Sequence, residues 1–347
     1  MKISICIPQH NRIDYLIKTL DELQLQNHSD FEVVISDDHS TDNTKKRIED
    51  YLIDSKFPIV YYRFEKNYGY DRNLRKSIEL ANGEYCFILG NDDMLAHSNV
   101  LNDLTSFLVE NNFPHIGYCN YVDYENSRDV TRRALETRVI GSGADIGLNH
   151  YSCFSFVAGL IFKKDKFIEY NSDKFDGSIY SQIALALNMV CNGAILFSVD
   201  NVWVRKDITL GKNEKSNSYL NVINRSFYKI KPVDGGLKSV IKVLFTVLAA
   251  NKQLTNDRKS YIFSKILFST YPYWLLDYKK HKATPAAIGL YLGLFPHRIE
   301  EYKLLLIKQK IKLTVGFQLM TIVAFLTPSF IFFKYKKEIY KWVKKVY

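Results

Sequence analysis

The feature that most constrains this chain of 347 residues is a repeating order of segments at its start. Residues 2–8 (KISICIP) are β-rich, and Ile13, Leu16, Ile17, Leu20 and Leu23 then recur at helical spacing over 12–26. The same alternation continues with a strand at 31–36 (FEVVIS), a helix over 41–54, a strand at 59–64, a helix over 70–82 and a strand at 85–89. Strand alternating with helix predicts an α/β fold whose mostly parallel sheet is covered on both faces. Ligands of such sheets bind outside the carboxyl ends of the strands, so chemistry is expected just after each strand.

Those positions are polar here. Pro8-Gln9-His10-Asn11-Arg12 follows the first strand, Asp37-Asp38-His39-Ser40-Thr41-Asp42 the second and Gly90-Asn91-Asp92-Asp93 the fourth. Helix capping accounts for Ser40, Thr41 or Asp42 but not for Asp37 and Asp38. Adjacent carboxylates that converge on one crevice repel unless a cation or donors compensate them. A hard divalent cation carrying a diphosphate meets that need, since Mg²⁺ or Mn²⁺ takes one or two carboxylates plus phosphate oxygens. The chain has neither G-x-x-x-x-G-K-[ST] nor G-x-G-x-x-G, which leaves the metal as the main countercharge for a nucleoside diphosphate.

Ile7-Pro8 with Asn11-Arg12, the run Ser36 to Asp42 and the block Asn67 to Asp93 (NYGYDRNLRKSIELANGEYCFILGNDD) carry a resemblance. Residues 1–210 resemble family 2 glycosyltransferases of the GT-A fold, most of all the abequosyltransferase-type O-antigen enzymes. The resemblance implies that Asp38 accepts a hydrogen bond from the nucleotide base, with Pro8, Gln9 and Asn11 lining the same pocket. It also implies Asn67, Arg72 and Asn73 near base and ribose, Asp92 facing ribose or sugar, and Asp93 binding Mn²⁺ or Mg²⁺. The first position of the D-x-D-like motif is Asn91. Arg205 lies where relatives carry a basic residue, placed to steady the leaving diphosphate, and residues 206–218 suit a lid or a linker.

An inverting transferase needs a carboxylate within reach of the acceptor hydroxyl. The Glu-Asp pair that many family members use is absent from 174–182 (KFDGSIYSQ), and Asp176 is the one carboxylate from 174 to 199. Asp176 is therefore the expected base, a plain turn aspartate being the bland reading; Asp123 and His150 are the alternatives. Gln182 can orient an acceptor but cannot take a proton.

The net charge of +10 would suit nucleic acid, yet ten Lys against one Glu after residue 302 supply nearly all of it. No nucleic-acid partner is expected. Five scattered cysteines read as buried, reduced thiols. From Gly236 the segments become helical, apolar and basic, and the run 315–333 has no charged residue. The expected organisation is a GT-A domain over 1–210, a linker or lid over 211–235 and a membrane-associating helical region over 236–347. The region is expected to lie peripherally or monotopically on the anionic cytoplasmic face of the plasma membrane. The predicted activity is metal-dependent transfer of one hexosyl or deoxyhexosyl group from a nucleoside-diphosphate sugar to a lipid-linked saccharide in O-antigen or capsule assembly. No Q-x-x-R-W motif of processive synthases is present. The alternatives are a nucleotidyltransferase making an activated sugar, or a non-catalytic scaffold at the membrane.

Overall fold

A computed structural model describes residues 1–127, 130–211, 232–281 and 283–335. It comprises two units, Met1–Ser216 and Asn217–Tyr347. In the first, strands β1 (Ile3–Gln9), β2 (Phe31–Asp37), β3 (Ile59–Arg63) and β4 (Tyr85–Ile88) alternate with helices α1 (Ile13–Leu23), α2 (Thr44–Tyr51) and α3 (Tyr70–Glu79). Ile3, Ile5 and Ile7 point to one face of β1 and pack with Val33, Ile35, Leu16 and Leu20, all fully buried. Each such side chain contributes roughly 1.5–3 kcal/mol by leaving water.

The unit continues through β5 (Met94–Leu95), α4 (Val100–Glu110), β6 (Ile116–Asp123), β7 (Val130–Thr131), β8 (Arg138–Gly141), α5 (Ala144–His150), β9 (Leu160–Lys163), α6 (Lys164–Tyr170), α7 (Ser181–Cys191) and β10 (Leu196–Lys206). The sheet order is β3-β2-β1-β4-β9-β6-β10-β5, with β7 on β6 and β8 on β10. It is more mixed than the alternation predicts: β1 to β4 are mutually parallel and β10 is parallel to β6, but β9 runs antiparallel between β4 and β6. β9 enters through Gly159, whose φ of +77° and contact with Cys119 leave no room for a side chain. The carboxyl ends of β1, β2, β4, β6 and β10 consequently share one edge. Pairing of β1 with β4 ends at Cys6 and Ile88, and Pro8, having no N–H, cannot extend it. The sheet opens there.

The second unit holds α8 (Leu237–Ala250), α9 (Asn256–Lys265), α10 (Tyr271–Lys280), α11 (Thr284–Gly293), α12 (Ile307–Leu326) and α13 (Ser329–Lys334). A π-helical turn at Ile266–Thr270 joins α9 to α10, where Pro272 offers no N–H and its ring would meet the carbonyl four residues back. Phe317 of α12 is fully buried against Tyr271, with ring centroids 4.7 Å apart. The uncharged run 315–333 is not one segment: α12 ends at Leu326 and Pro328 caps α13. Lys279 Nζ donates to the carbonyls of Ala324, Phe325 and Thr327 at 2.9, 2.7 and 2.8 Å, collecting oxygens a helix end leaves unpaired. Among the described residues no helix is long and apolar enough to cross a membrane. Of the expected lid or linker over 206–218, Lys206 closes β10 and the Ile208 N–H donates to the carbonyl of Asp92, while 212–218 and the basic tail after Tyr335 lie outside the described residues.

Candidate active site

The site begins where β1 ends. Gln9 is fully buried, and its amide donates to Thr44 Oγ1 at 3.1 Å and accepts from Asn91 Nδ2 at 2.7 Å. Its carbonyl accepts from Asn73 Nδ2 at 2.9 Å and from the N–H of Asp38 at 2.8 Å. Asn11 and Arg12 follow in left-handed conformations, with φ of 54° and 64°. That reversal lets the Asn11 N–H donate to Ser40 Oγ, and its side chain accept from the N–H of Thr41. The expected pocket residues Gln9, Asn11, Asp38 and Asn73 thus come together through hydrogen bonds, with Pro8 beside Gln9 on β1.

Asp37 and Asp38, unexplained by capping, have distinct partners. Asp37 is fully buried, accepting from the N–H and hydroxyl of Ser40 and, at 2.7 Å, from Tyr61 OH. Asp38 accepts from the N–H groups of Tyr68 and Gly69 at 2.6 and 2.9 Å, so it shapes the loop that carries Asn67. Each of its oxygens keeps lone-pair capacity beyond these bonds. Asn67 Nδ2 is 3.4 Å from His10 Nε2, and Arg72 lies 3.9 Å from the centre of the Tyr68 ring. Asn73 Oδ1 is buried with no protein partner.

The acidic turn after β4 is held from three sides. Arg12 Nη1 donates to Asp92 Oδ2 at 2.6 Å, Thr19 Oγ1 donates to the carbonyl of Asp93 at 2.8 Å, and Ile208 N–H donates to the carbonyl of Asp92 at 2.8 Å. Asp93 is 3% exposed, and its Oδ1 accepts from the N–H of Asp207 at 3.1 Å. Its Oδ2 lies where a Cβ on residue 90 would approach to 2.3 Å, so only glycine fits beneath it. Burial pushes the Asp93 carboxyl well above the usual carboxylate range, and the neighbouring Asp92 adds to the shift. A nearby cation favours the charged form of such a buried acid. The donor set suits Mg²⁺ or Mn²⁺ carried by phosphate oxygens. Among the described residues no cluster of three or more metal-ligating side chains is present.

Sequence reasoning missed two residues here. Asp207, left-handed at φ 57°, and Lys206 stand at the end of β10, and Lys206 pairs with both Asp207 and Asp123, the latter at 3.7 Å. The available signal was a polar residue at another strand end. Arg205 pairs in register with Met94 and lies 5.5 Å from the Tyr124 ring centre, bringing it to the same edge.

Asp176 belongs to a different group. Arg75 donates to both its oxygens, at 2.9 and 2.6 Å, while also meeting Glu79 and Asn171. One turn earlier, buried Asp71 accepts from the N–H groups of Ile179 and Ser181 at 2.8 and 3.1 Å. These two rungs fasten the 176–181 segment to α3. Ile179 is 65% exposed with φ of 67°, a strained backbone for a β-branched residue. Gln182 is buried with Oε1 unpartnered. His150 Nδ1 is bonded to Tyr118 OH at 2.7 Å.

A family model described as glycosyl transferase family 2 matches residues 4–170. The chain is 30% identical to abequosyltransferase RfbV of Salmonella typhimurium over 211 residues, 54% of this chain and 61% of that protein. It is 32% identical over 96 residues to the GalNAc(5)-diNAcBac-PP-undecaprenol beta-1,3-glucosyltransferase of Campylobacter jejuni, 27% of this chain and 30% of that protein. The chain thus spans less than two thirds of these relatives. Residues 1–349 of Staphylococcus aureus TarS in complex with UDP share the fold at TM-score 0.58 and 17% identity, covering 92% of this chain and 91% of that one. A mannosyltransferase from Pyrobaculum calidifontis in complex with GDP-Man and Mn²⁺ does so at TM-score 0.52 and 13% identity, covering 92% and 86%.

Proposed function

From the glycosyl transferase family 2 domain in residues 4–170, we propose that the chain transfers one sugar from a nucleoside-diphosphate sugar to a hydroxyl of a lipid-linked saccharide. The setting would be surface polysaccharide assembly, with Mn²⁺ or Mg²⁺ and inversion at the anomeric carbon. The observation that carries the reading is the acidic turn itself: a buried, hard-to-ionise Asp93 over a glycine, beside an Asp92 that Arg12 already neutralises. The name of the Campylobacter enzyme carries a PP-undecaprenol-linked saccharide, which supports the lipid-linked acceptor, and that of RfbV supports transfer of a sugar.

Asp93 would hold the metal, which when bound neutralises the charge that builds on the leaving diphosphate. Asp38, Asn67, Arg72 and Asn73 would hold base and ribose, the unpartnered Asn73 Oδ1 accepting from a hydroxyl. Arg205 supplies a cation at the same edge for the diphosphate. For the proton of the acceptor hydroxyl the chain offers Asp176, once freed from Arg75, and Asp123, whose contact with Lys206 is looser.

Thermal unfolding with UDP, GDP, CDP and dTDP, with and without Mn²⁺, tests the donor half. One nucleotide is expected to raise the midpoint, and more so with metal. No stabilisation by any of them removes the reading. Consumption of sugar phosphate and nucleoside triphosphate would move the chain to the nucleotidyltransferases.

A further inference from the structure

We propose that the outward face of α12 is a docking surface for an anionic bilayer, with the helix lying in the membrane plane. Leu313, Phe317, Thr321 and Ala324 are its buried residues. Opposite them stand Ile307, Ile311, Val315, Leu319, Ile322 and Leu326, between 53% and 77% exposed. Their spacing of three or four residues makes one continuous stripe. From Leu313 to Leu326 no residue on any side of the helix is charged. A helix that packs one face on its own unit ordinarily turns polar residues outward; this one is apolar on both.

Charge selects the occupant. Exposed Lys308 and Lys312 flank the stripe at the start of the helix and exposed Lys334 lies beyond its end, while residues 302–337 contain no acid. Apolar side chains between cations match an acyl boundary under anionic headgroups. A second copy fits poorly, because antiparallel pairing of this face would set Lys308 and Lys312 against Lys334.

Length selects the orientation. The uncharged stretch 313–326 spans about 21 Å at 1.5 Å per residue, against about 30 Å of hydrocarbon. Thr327 and Pro328 stop the helix there, and Lys279 fixes the stop. Phe330 and Ile331, just past the break, are exposed as well. The surface thus begins earlier than the 315–333 run, at Ile307, and is broken at Thr327 and Pro328. The proposal stands on the second unit and does not rest on the transferase reading.

The test uses the full chain and vesicles of phosphatidylcholine with or without phosphatidylglycerol. The protein is expected to sediment with the anionic vesicles and to stay bound in high salt, which strips electrostatic contacts but not inserted side chains. Joint replacement Ile311→Gln, Val315→Gln, Leu319→Gln and Ile322→Gln should weaken binding by about tenfold or more, with circular dichroism and nucleotide binding unchanged. Lys308→Gln with Lys312→Gln should remove the preference for anionic lipid. A separate Leu319→Trp variant should gain fluorescence that brominated lipid quenches, a readout that survives if the fourfold variant misfolds. Failure to bind vesicles, equal binding by the fourfold variant, fluorescence of the Leu319→Trp variant that brominated lipid leaves unquenched, or an oligomer that the fourfold variant splits would each overturn the proposal.

Discussion

Asp93 is set up to be a poor acid, the property that its proposed role as a metal ligand turns on. Its neutral form is favoured in the unliganded fold because burial and Asp92 both oppose its charge, so Asp93→Asn should melt no lower than the parent. The same variant should lose the metal-dependent part of nucleotide stabilisation and nearly all turnover; unchanged Mn²⁺ dependence in thermal unfolding would contradict the assignment. Gly90→Ala should reproduce that loss with Asp93 still present, since the new Cβ displaces the carboxylate. Asp176→Asn separates two roles. As the base, it should cut transfer by about two to four orders of magnitude with an unchanged melt. As the anchor of Arg75, it should instead cost about 1–3 kcal/mol in denaturant unfolding. Asp38 and Asp93 could be singled out in the sequence because each stands in a local polar run behind a strand. Asp207 and Asp71 were not, because their partners lie 114 and 108 residues away.

Elements were readable where their period was clean. The first four strands and three helices fall close to where apolar spacing places them, because alternating β-branched runs and a 3.6-residue stripe have few other solutions. Nothing local announces that β9 runs backwards between β4 and β6; only the room at Gly159 and the pairing partners decide it. The start of β6 offers a pH test. His115 Nδ1 accepts from the N–H of Ile195 at 2.9 Å, and burial, then Lys163, pull its pKa below the usual histidine value. Below about pH 6.5 the unfolded chain binds a proton that the folded chain resists. Stability should therefore be full above that pH and fall as pH drops through the depressed folded value. His115→Gln should flatten that slope in denaturant melts between about pH 7 and 5; an unchanged slope would assign it to other groups.

At the scale of the whole molecule, the basic C-terminal third is not a detachable tail. Phe317 and Leu313 are fully buried in the helical unit, so ending the chain after Glu301 should remove core as well as surface. Loss of a packed Phe alone costs roughly 3–5 kcal/mol. Limited proteolysis should find the remaining helices digestible while the first unit resists; a truncated chain with both units resistant would show that α12 is dispensable. Composition announced the helices and the lysines, but which side of α12 stays uncovered follows from packing alone. The pairing of Arg12 with Asp92 has a kinetic corollary. Around the strand ends Arg12, Arg63, Arg72, Arg205 and Lys206 stand among Asp37, Asp38, Asp42, Asp92, Asp123 and Asp207, five cations to six carboxylates, and Asp93 is reluctant to ionise. Such an edge casts almost no long-range field, so a charged donor is not drawn in from a distance. Its association rate constant should stay nearly flat as ionic strength rises, and its capture should depend on shape at contact.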